Sequence, residues 1–273
     1  MKQIKFIILL IMFCNLSCMP PANLLDGLSS KTTDDYLIIE AEEANNAQSY
    51  DVAIDILVNQ ISSSAQSTVK VKELLANAYA GKCGLNFVQY TTDLANSTSG
   101  SAFGIVMTPF VGAVVEPSYC ELALQTMDTI GTEIQRTANQ NAFTAITGLV
   151  YIGASLRYNA DLFPTNGDGA PDVNLCTGLT DAELDEAIIG FGYFTANFSY
   201  VSASLLGTSS LNSLDQVVQI CTATVGASCN AKTSSDITPG MRLVIRDLIN
   251  TQEYGIGSYS TGGNDLLLPG SCP

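Results

Sequence analysis

The chain has 273 residues, of which 47% are hydrophobic and 14% are charged, and its formal net charge is −15. The apolar content is enough to bury a core, which excludes an intrinsically disordered chain, and the excess of acids disfavours nucleic acid as a partner. The protein contains no histidine, so catalysis by a Ser-His-Asp triad or a Cys-His pair is excluded.

The N-terminal residues have the pattern of an export signal. Lys2 and Lys5 accompany an apolar run at 6–13, which is too short to span a bilayer and has the length of a signal-peptide core. The segment NLSC at 15–18 resembles a bacterial lipobox, in which a small residue precedes a lipidated cysteine. Asn15 departs from the leucine that is usual at its position, and Leu16 stands where a smaller residue is common.

This resemblance implies that residues 1–17 are a lipoprotein signal peptide and that Cys18 is acylated. Residues 18–34, which begin with Cys-Met-Pro-Pro, would then form an extended tether. Because residue 19 is not aspartate, the resemblance implies anchoring in the outer membrane, facing the periplasm. The alternative is an ordinary secretory signal, cut nearby, that releases a soluble periplasmic protein.

The cysteines beyond the signal indicate a disulfide framework, because an even number in an exported chain is typical of one. These six are Cys83, Cys120, Cys176, Cys221, Cys229 and Cys272. The sequence does not choose among their pairings, although the short loop between Cys221 and Cys229 favours a local bond. Cys83–Cys120 and Cys176–Cys272 would then be the remaining pairs. A zinc site is disfavoured because there is neither a CxxC pair nor a histidine.

Residues 35–94 are expected to be helical, since apolar side chains recur at spacings of three and four. The small and aromatic residues of this segment resemble tetratricopeptide-like helical hairpins over residues 36–92. The pattern is Ala41, Ala44, Tyr50, Ala53, Ile54 and Leu57, followed by Leu74, Leu75, Ala76, Ala78 and Tyr79. The proline that usually closes such a repeat is absent, so a generic α-helical hairpin is the alternative.

Further helices are predicted from Glu116 to the end of a domain at residues 35–254. The apolar segment 102–115, broken by Pro109, is predicted to be either a buried kinked helix or a partly exposed apolar surface. Thr180 and Glu183 form a capping box that begins another helix. Residues 255–273 are expected to form an irregular C-terminal tail held by Cys272. No segment alternates with a period of two, so the predicted fold is all-α, with antiparallel hairpins or an irregular bundle stapled by disulfides.

One loop has the pattern of a calcium site. The segment NGDGAPD at 166–172 resembles thrombospondin type-3 and dockerin-like loops, in which Asn166, Asp168 and Asp172 would be ligands. Pro164 and Leu175 stand at two positions where those loops have ligands, so the resemblance implies a degenerate site that Asp161 or backbone carbonyls would complete. The alternative is an Asx-Gly turn that needs no metal.

Other candidate chemistry has structural alternatives. Arg242 and Arg246, one helical turn apart, could hold an anion, or form ion pairs with Asp247 and Glu253. Gly190 and Gly192 lie inside a helical pattern and lack the lysine of a phosphate-binding loop, so close helix packing is the favoured interpretation.

The sequence therefore predicts a non-enzymatic envelope lipoprotein that is a protein-interaction scaffold or adaptor, with another envelope protein as its partner. One alternative is a periplasmic small-molecule-binding protein associated with transport, which the apolar content and segment 102–115 favour. The other is a carboxylate-based hydrolase, which requires two carboxylates facing each other in a cleft.

Overall fold

The computed structural model describes residues 32–97, 100–162, 167–225, 229–260 and Cys272. The helices, in chain order, are α1 (Asp34–Asn46), α2 (Tyr50–Asp55, extended by a π-helical turn Ile56–Gln60), α3 (Ser63–Gln66), α4 (Val69–Cys83), α5 (Phe87–Asn96), α6 (Ala102–Met107, extended by a 3-10 turn Thr108–Phe110), α7 (Pro117–Asp128), α8 (Ala138–Asn159), α9 (Asp181–Asn197, extended by a 3-10 turn Phe198–Tyr200), α10 (Ala203–Leu206), α11 (Thr208–Val225) and α12 (Pro239–Asn250, preceded by a 3-10 turn Ser234–Asp236). The expectation of an all-α fold stapled by disulfides is confirmed.

Helix α8 is the centre of the main core. Every residue from 144 to 157 is buried, because this stretch, apart from Arg157, is apolar or small and has neighbours on all sides. Helices α6, α7 and α9 pack against it. The helix begins at a capping box in which Thr137 and Gln140 satisfy each other's backbone N–H groups. The same device at Thr180 and Glu183 begins α9, as the sequence predicted.

A smaller core lies under α1, α2 and α4. It is formed by the buried side chains Leu37, Ala41, Ile56, Leu57, Ile61 and Val71. Small residues let these helices approach closely, since Ala41 and Ala53 are both fully buried. Within the tetratricopeptide-like segment, the α1–α2 hairpin therefore packs against α4, and membership of that family stays a prediction.

Disulfides join elements that are distant in the chain. Cys83–Cys120 links the end of α4 to α7, Cys176–Cys272 holds the C-terminal end, and Cys221–Cys229 closes a short loop after α11. These are the three pairs that the sequence favoured. The signal peptide, Cys18 and the tether as far as residue 31 lie outside the described residues, and α1 begins at Asp34, within the predicted tether.

The chain after α12 folds back onto that helix. The last helix ends at Asn250, before the predicted limit of the helical domain at 254, and Tyr259 donates its N–H to Asn250 O at 3.1 Å. Gly255 and Gly257 allow this approach, because a Cβ at Gly255 would lie 2.0 Å from Ile249 O. The tail is therefore packed as far as residue 260, and of the rest only Cys272 is described.

Candidate binding groove

A groove of about 560 Å³ runs between the α1–α2 hairpin and the α4–α5 pair. We call it the carboxamide groove because side-chain amides dominate its polar lining. It is lined by Glu42, Asn45, Asn46, Gln48, Tyr50, Leu74, Asn77, Ala80, Gly81, Leu85, Asn86, Phe87 and Val88. Its volume is in the range of sites that accept small ligands or a short peptide segment.

Two chain reversals shape the groove. Between α1 and α2, Gln48 takes a left-handed φ of 59°, a conformation that non-glycine residues rarely adopt. The reversal sets the Tyr50 ring on the backbone of α4 at Gly81, where a Cβ would lie 2.2 Å from Tyr50 Cε1. Between α4 and α5, Gly84 has a φ of 122°, which permits the sharp turn that ends α4.

Lys82 fixes the two walls to each other and to the main core. Its ammonium pairs with Asp51 of α2 and lies 4.3 Å from the centre of the Tyr119 ring on α7. The hydrogen bond with Asp51 raises the pKa of Lys82 well above its ordinary value. The neighbouring Cys83 is bonded to Cys120, so the groove is built on a cross-linked frame.

The amides of the groove are half used. Asn45 Nδ2 donates to Leu74 O at 3.2 Å, Asn77 Nδ2 donates to Glu73 O at 3.0 Å, and Asn86 Oδ1 accepts from Gln89 N at 3.1 Å. Each bond fixes one half of an amide and leaves the other half for a different partner. Asn45 Oδ1 is buried, and no donor reaches it from the described part of the chain. Such an acceptor costs about 1–3 kcal/mol until a water or a ligand satisfies it.

One wall of the groove carries a carboxylate and the other carries apolar side chains. Glu42 is on α1, and its ion pair with Lys70 is open to solvent, with an Oε2–Nζ distance of 3.6 Å, so it holds Glu42 weakly. At the start of α5, Phe87 and Val88 are 37% and 73% exposed. Neighbouring exposed apolar side chains at the mouth of a groove are suited to a partner that covers them.

The predicted calcium ligands are only partly within the described residues, since Asn166 is not among them. Asp168 Oδ1 accepts from Ala170 N at 3.0 Å and Asp172 Oδ2 accepts from Leu162 N at 2.9 Å. The first bond is that of an Asx turn, which is the alternative interpretation, and the second ties Asp172 to the chain that follows α8. Asp161, which was to complete the site, is buried beside the Arg157 guanidinium at 3.6 Å. Calcium binding stays a prediction.

Arg242 and Arg246 are engaged by carboxylates of the protein itself. Arg242 donates to both oxygens of Asp185 at 2.7 Å, and Arg246 donates to Asp181 at 3.2 Å. The ion-pair interpretation is confirmed, but the predicted partners Asp247 and Glu253 are wrong. The partners come from α9, which the spacing along α12 alone could not indicate.

A second, smaller cleft of about 360 Å³ lies beside the end of α8. It is lined by Ala113, Val114, Val115, Arg157, Tyr158, Asn159, Leu162 and Glu183. Segment 102–115 thus combines both predicted alternatives: Phe103, Val106 and Phe110 are buried, whereas Val114 is 73% exposed.

One half-buried carboxyl lies outside both clefts. Glu186 of α9 accepts from Asn159 Nδ2 at 3.0 Å. Burial raises the pKa of Glu186, and the charges of Glu121 and Glu183 raise it further. Neither Glu121 nor Glu186 lines the carboxamide groove or the smaller cleft.

Comparison with models of known protein families, with curated proteins and with solved structures finds no match to this chain. Within the described ranges, no helix has both the length and the apolar character needed to cross a bilayer. Those ranges also contain no group of three or more Cys, Asp or Glu side chains that could hold a metal ion.

Proposed function

We propose that this protein is a lipid-anchored envelope scaffold without catalytic activity, which holds a segment of a partner protein in the carboxamide groove. The observation that carries the proposal is the set of half-used amides at Asn45, Asn77 and Asn86. A peptide backbone offers one donor and one acceptor at every residue. Side-chain amides offer the same pair of groups, so they can bind an extended segment through its backbone.

The location rests on separate support. The residues around Cys18 resemble a lipobox, and three disulfides in one chain indicate an oxidising compartment. We propose that Cys18 carries the acyl anchor and that the helical domain faces the periplasm from the outer membrane. A Cys18→Ser variant should move from the detergent phase to the aqueous phase on phase partitioning. If the unsubstituted protein is itself found in the aqueous phase, the anchor is refuted.

Site-specific photo-crosslinking in intact cells tests the scaffold. A benzophenone side chain at position 77, inside the groove, should form an adduct with another protein. The same group at position 212, an exposed site on α11, is the matched control and should not form it. Equal adducts from the two positions, or none from position 77, would contradict the proposal.

Small-molecule binding is the second candidate function, and the smaller cleft favours it. Its apolar side chains, with Val114 and Tyr158 largely exposed, are suited to an apolar ligand. Mass spectrometry of the native protein would then show a bound small molecule, which a Val114→Glu variant should lack. A chain without such a molecule would remove this candidate.

A further inference from the structure

The chemistry of the carboxamide groove indicates which kind of segment it holds. We propose that the bound segment is cationic, with a lysine or arginine beside Glu42 and an apolar side chain against Phe87 and Val88. This inference rests on the proposed function, since it describes the partner of that same groove.

The charge of the surrounding helices supports a cationic partner. Residues 34–96 contain nine acids and three lysines, and each lysine is already engaged. Lys82 pairs with Asp51, Lys72 donates to Thr129 O at 2.9 Å, and Lys70 lies 3.6 Å from Glu42. The field at the groove is therefore negative, which attracts basic segments and repels acidic ones.

The hydrogen-bonding groups of the groove support the same conclusion. Asn45 and Asn77 each use one N–H and leave their carbonyl oxygens, and Glu42 adds a carboxylate, whereas Asn86 uses its oxygen and leaves its N–H groups for a backbone carbonyl of the segment. A basic side chain suits the acceptors of Glu42, Asn45 and Asn77, because lysine and arginine side chains only donate. Because the ion pair of Glu42 with Lys70 is exposed and weak, a ligand cation can join or replace it at little cost.

The apolar side chains of the groove fix how the segment lies. Phe87 and Val88 are adjacent in the first turn of α5, at the opposite wall from α1. Phe87 is partly exposed, and Val88 more so. An apolar side chain of the segment would cover them, while its basic side chain reaches Glu42 on the other wall. The segment would therefore present its basic side chain to one wall of the groove and its apolar side chain to the other.

Fluorescence polarisation with three labelled peptides tests the inference on the full chain. The peptides share two leucines and a serine-glycine background, and they differ only in carrying lysines, glutamines or glutamates at the same positions. We expect the lysine peptide to bind about tenfold tighter than the glutamine peptide, equivalent to about 1.4 kcal/mol. The glutamate peptide should bind weakest. High salt screens charges, so it should reduce the differences in affinity among the three peptides.

Two charge variants test whether the basic side chain of the peptide lies beside Glu42. Glu42→Gln should weaken binding of the lysine peptide about threefold, a loss of under 1 kcal/mol. Glu40→Gln removes the same charge from an exposed position of α1 that does not line the groove, and it should change binding less. Equal losses from both variants would overturn the placement of the basic side chain beside Glu42.

The outcomes separate this inference from the proposed function. If the three peptides bind equally and an Asn77→Ala variant weakens all of them, the groove binds peptides but the cationic preference is wrong. If none of the peptides binds, both the proposed function and the inference are overturned. Binding that is unchanged by Asn77→Ala would place the peptide elsewhere and would overturn both as well.

Discussion

At the scale of single residues, buried polar side chains hold this fold together. Arg136, whose side chain is fully buried, shows how they do so. It donates to Asn141 Oδ1 at 2.9 Å, to Asp128 Oδ1 at 3.1 Å and to Asn197 Oδ1 at 3.2 Å. These partners lie on α8, α7 and α9, so one guanidinium joins three helices. Such a network stabilises only while every member has its partner.

Replacing Arg136 should therefore destabilise the protein strongly. Arg136→Met leaves the oxygens of Asn141 and Asn197 without their donor, and we expect a loss of about 3 kcal/mol in the free energy of unfolding, measured in urea. Lys70→Met, which breaks an exposed ion pair, is the control and should cost under about 1 kcal/mol. Similar losses from the two variants would show that the Arg136 network adds no stability.

The half-buried carboxyl of Glu186 should make stability depend on pH. Burial raises its pKa in the folded state, so the folded protein binds this proton more tightly than the unfolded chain. The group therefore opposes folding above its folded pKa, and this cost is lost as the pH falls towards its unfolded pKa of about 4.3. Glu186→Gln should unfold at a higher temperature than the unsubstituted protein near pH 7, and the difference should vanish near pH 4.

The exposed Glu40 supplies the control for this experiment. Glu40→Gln removes an equal charge from the surface of α1, and it reports the effect of net charge alone. A Glu186→Gln variant that is less stable than the Glu40→Gln variant near pH 7 would refute the raised pKa as a source of strain.

At the scale of the elements, the crossing of α8 and α9 depends on glycine. A Cβ at Gly148 would lie 2.6 Å from Gly190 O, and one at Gly190 would lie 2.7 Å from Gly148 O. The two backbones are thus in direct contact, and any side chain would force the helices apart. Gly192 allows a separate close contact between α9 and Ala231, because a Cβ at Gly192 would lie 1.8 Å from Ala231 O.

Replacing Gly148 with alanine should destabilise the protein, although alanine is normally the better helix former. In an open helix, glycine to alanine stabilises by about 1 kcal/mol. Here the clash with α9 should dominate, and we expect Gly148→Ala to lower the free energy of unfolding by about 1–3 kcal/mol. Gly240→Ala is the matched control, since the nearest atom to its Cβ would be 3.6 Å away. Thermal unfolding that ranks Gly148→Ala at or above Gly240→Ala would contradict the described crossing.

The sequence predicted some of these packing features and missed others. Gly190 and Gly192 were expected to mark close packing because glycine inside a helical pattern has few other uses, and Thr180 with Glu183 marked a helix start. The groove was not foreseen. Asn45 lies in α1, Asn77 in α4 and Asn86 just before α5, and only packing brings their amides together. The asparagines near the end of α1 and just before α5 were the available signal, but asparagine is common at helix ends for capping alone.

At the scale of the whole molecule, the disulfides should contribute unequally to the free energy of unfolding. Loop closure in the unfolded chain predicts a contribution that grows with the residues enclosed. The sequence separation is 96 for Cys176–Cys272 and 8 for Cys221–Cys229. Removing the first pair by alanine should cost about 4–5 kcal/mol and removing the second about 2–3 kcal/mol. Urea unfolding of the two double variants measures this order, and a reversed order would contradict it.

We propose that an acyl anchor, the disulfide frame and the carboxamide groove together let this protein hold a partner at a membrane. Native mass spectrometry of protein extracted gently from its own membranes tests this directly. We expect an acylated chain, six hydrogens lighter than its reduced form because of three disulfides, in complex with another protein. An Asn46→Ala and Asn77→Ala double variant should lose that protein, whereas Asn212→Ala should keep it. A chain without an acyl group, or a partner that the double variant retains, would contradict the account.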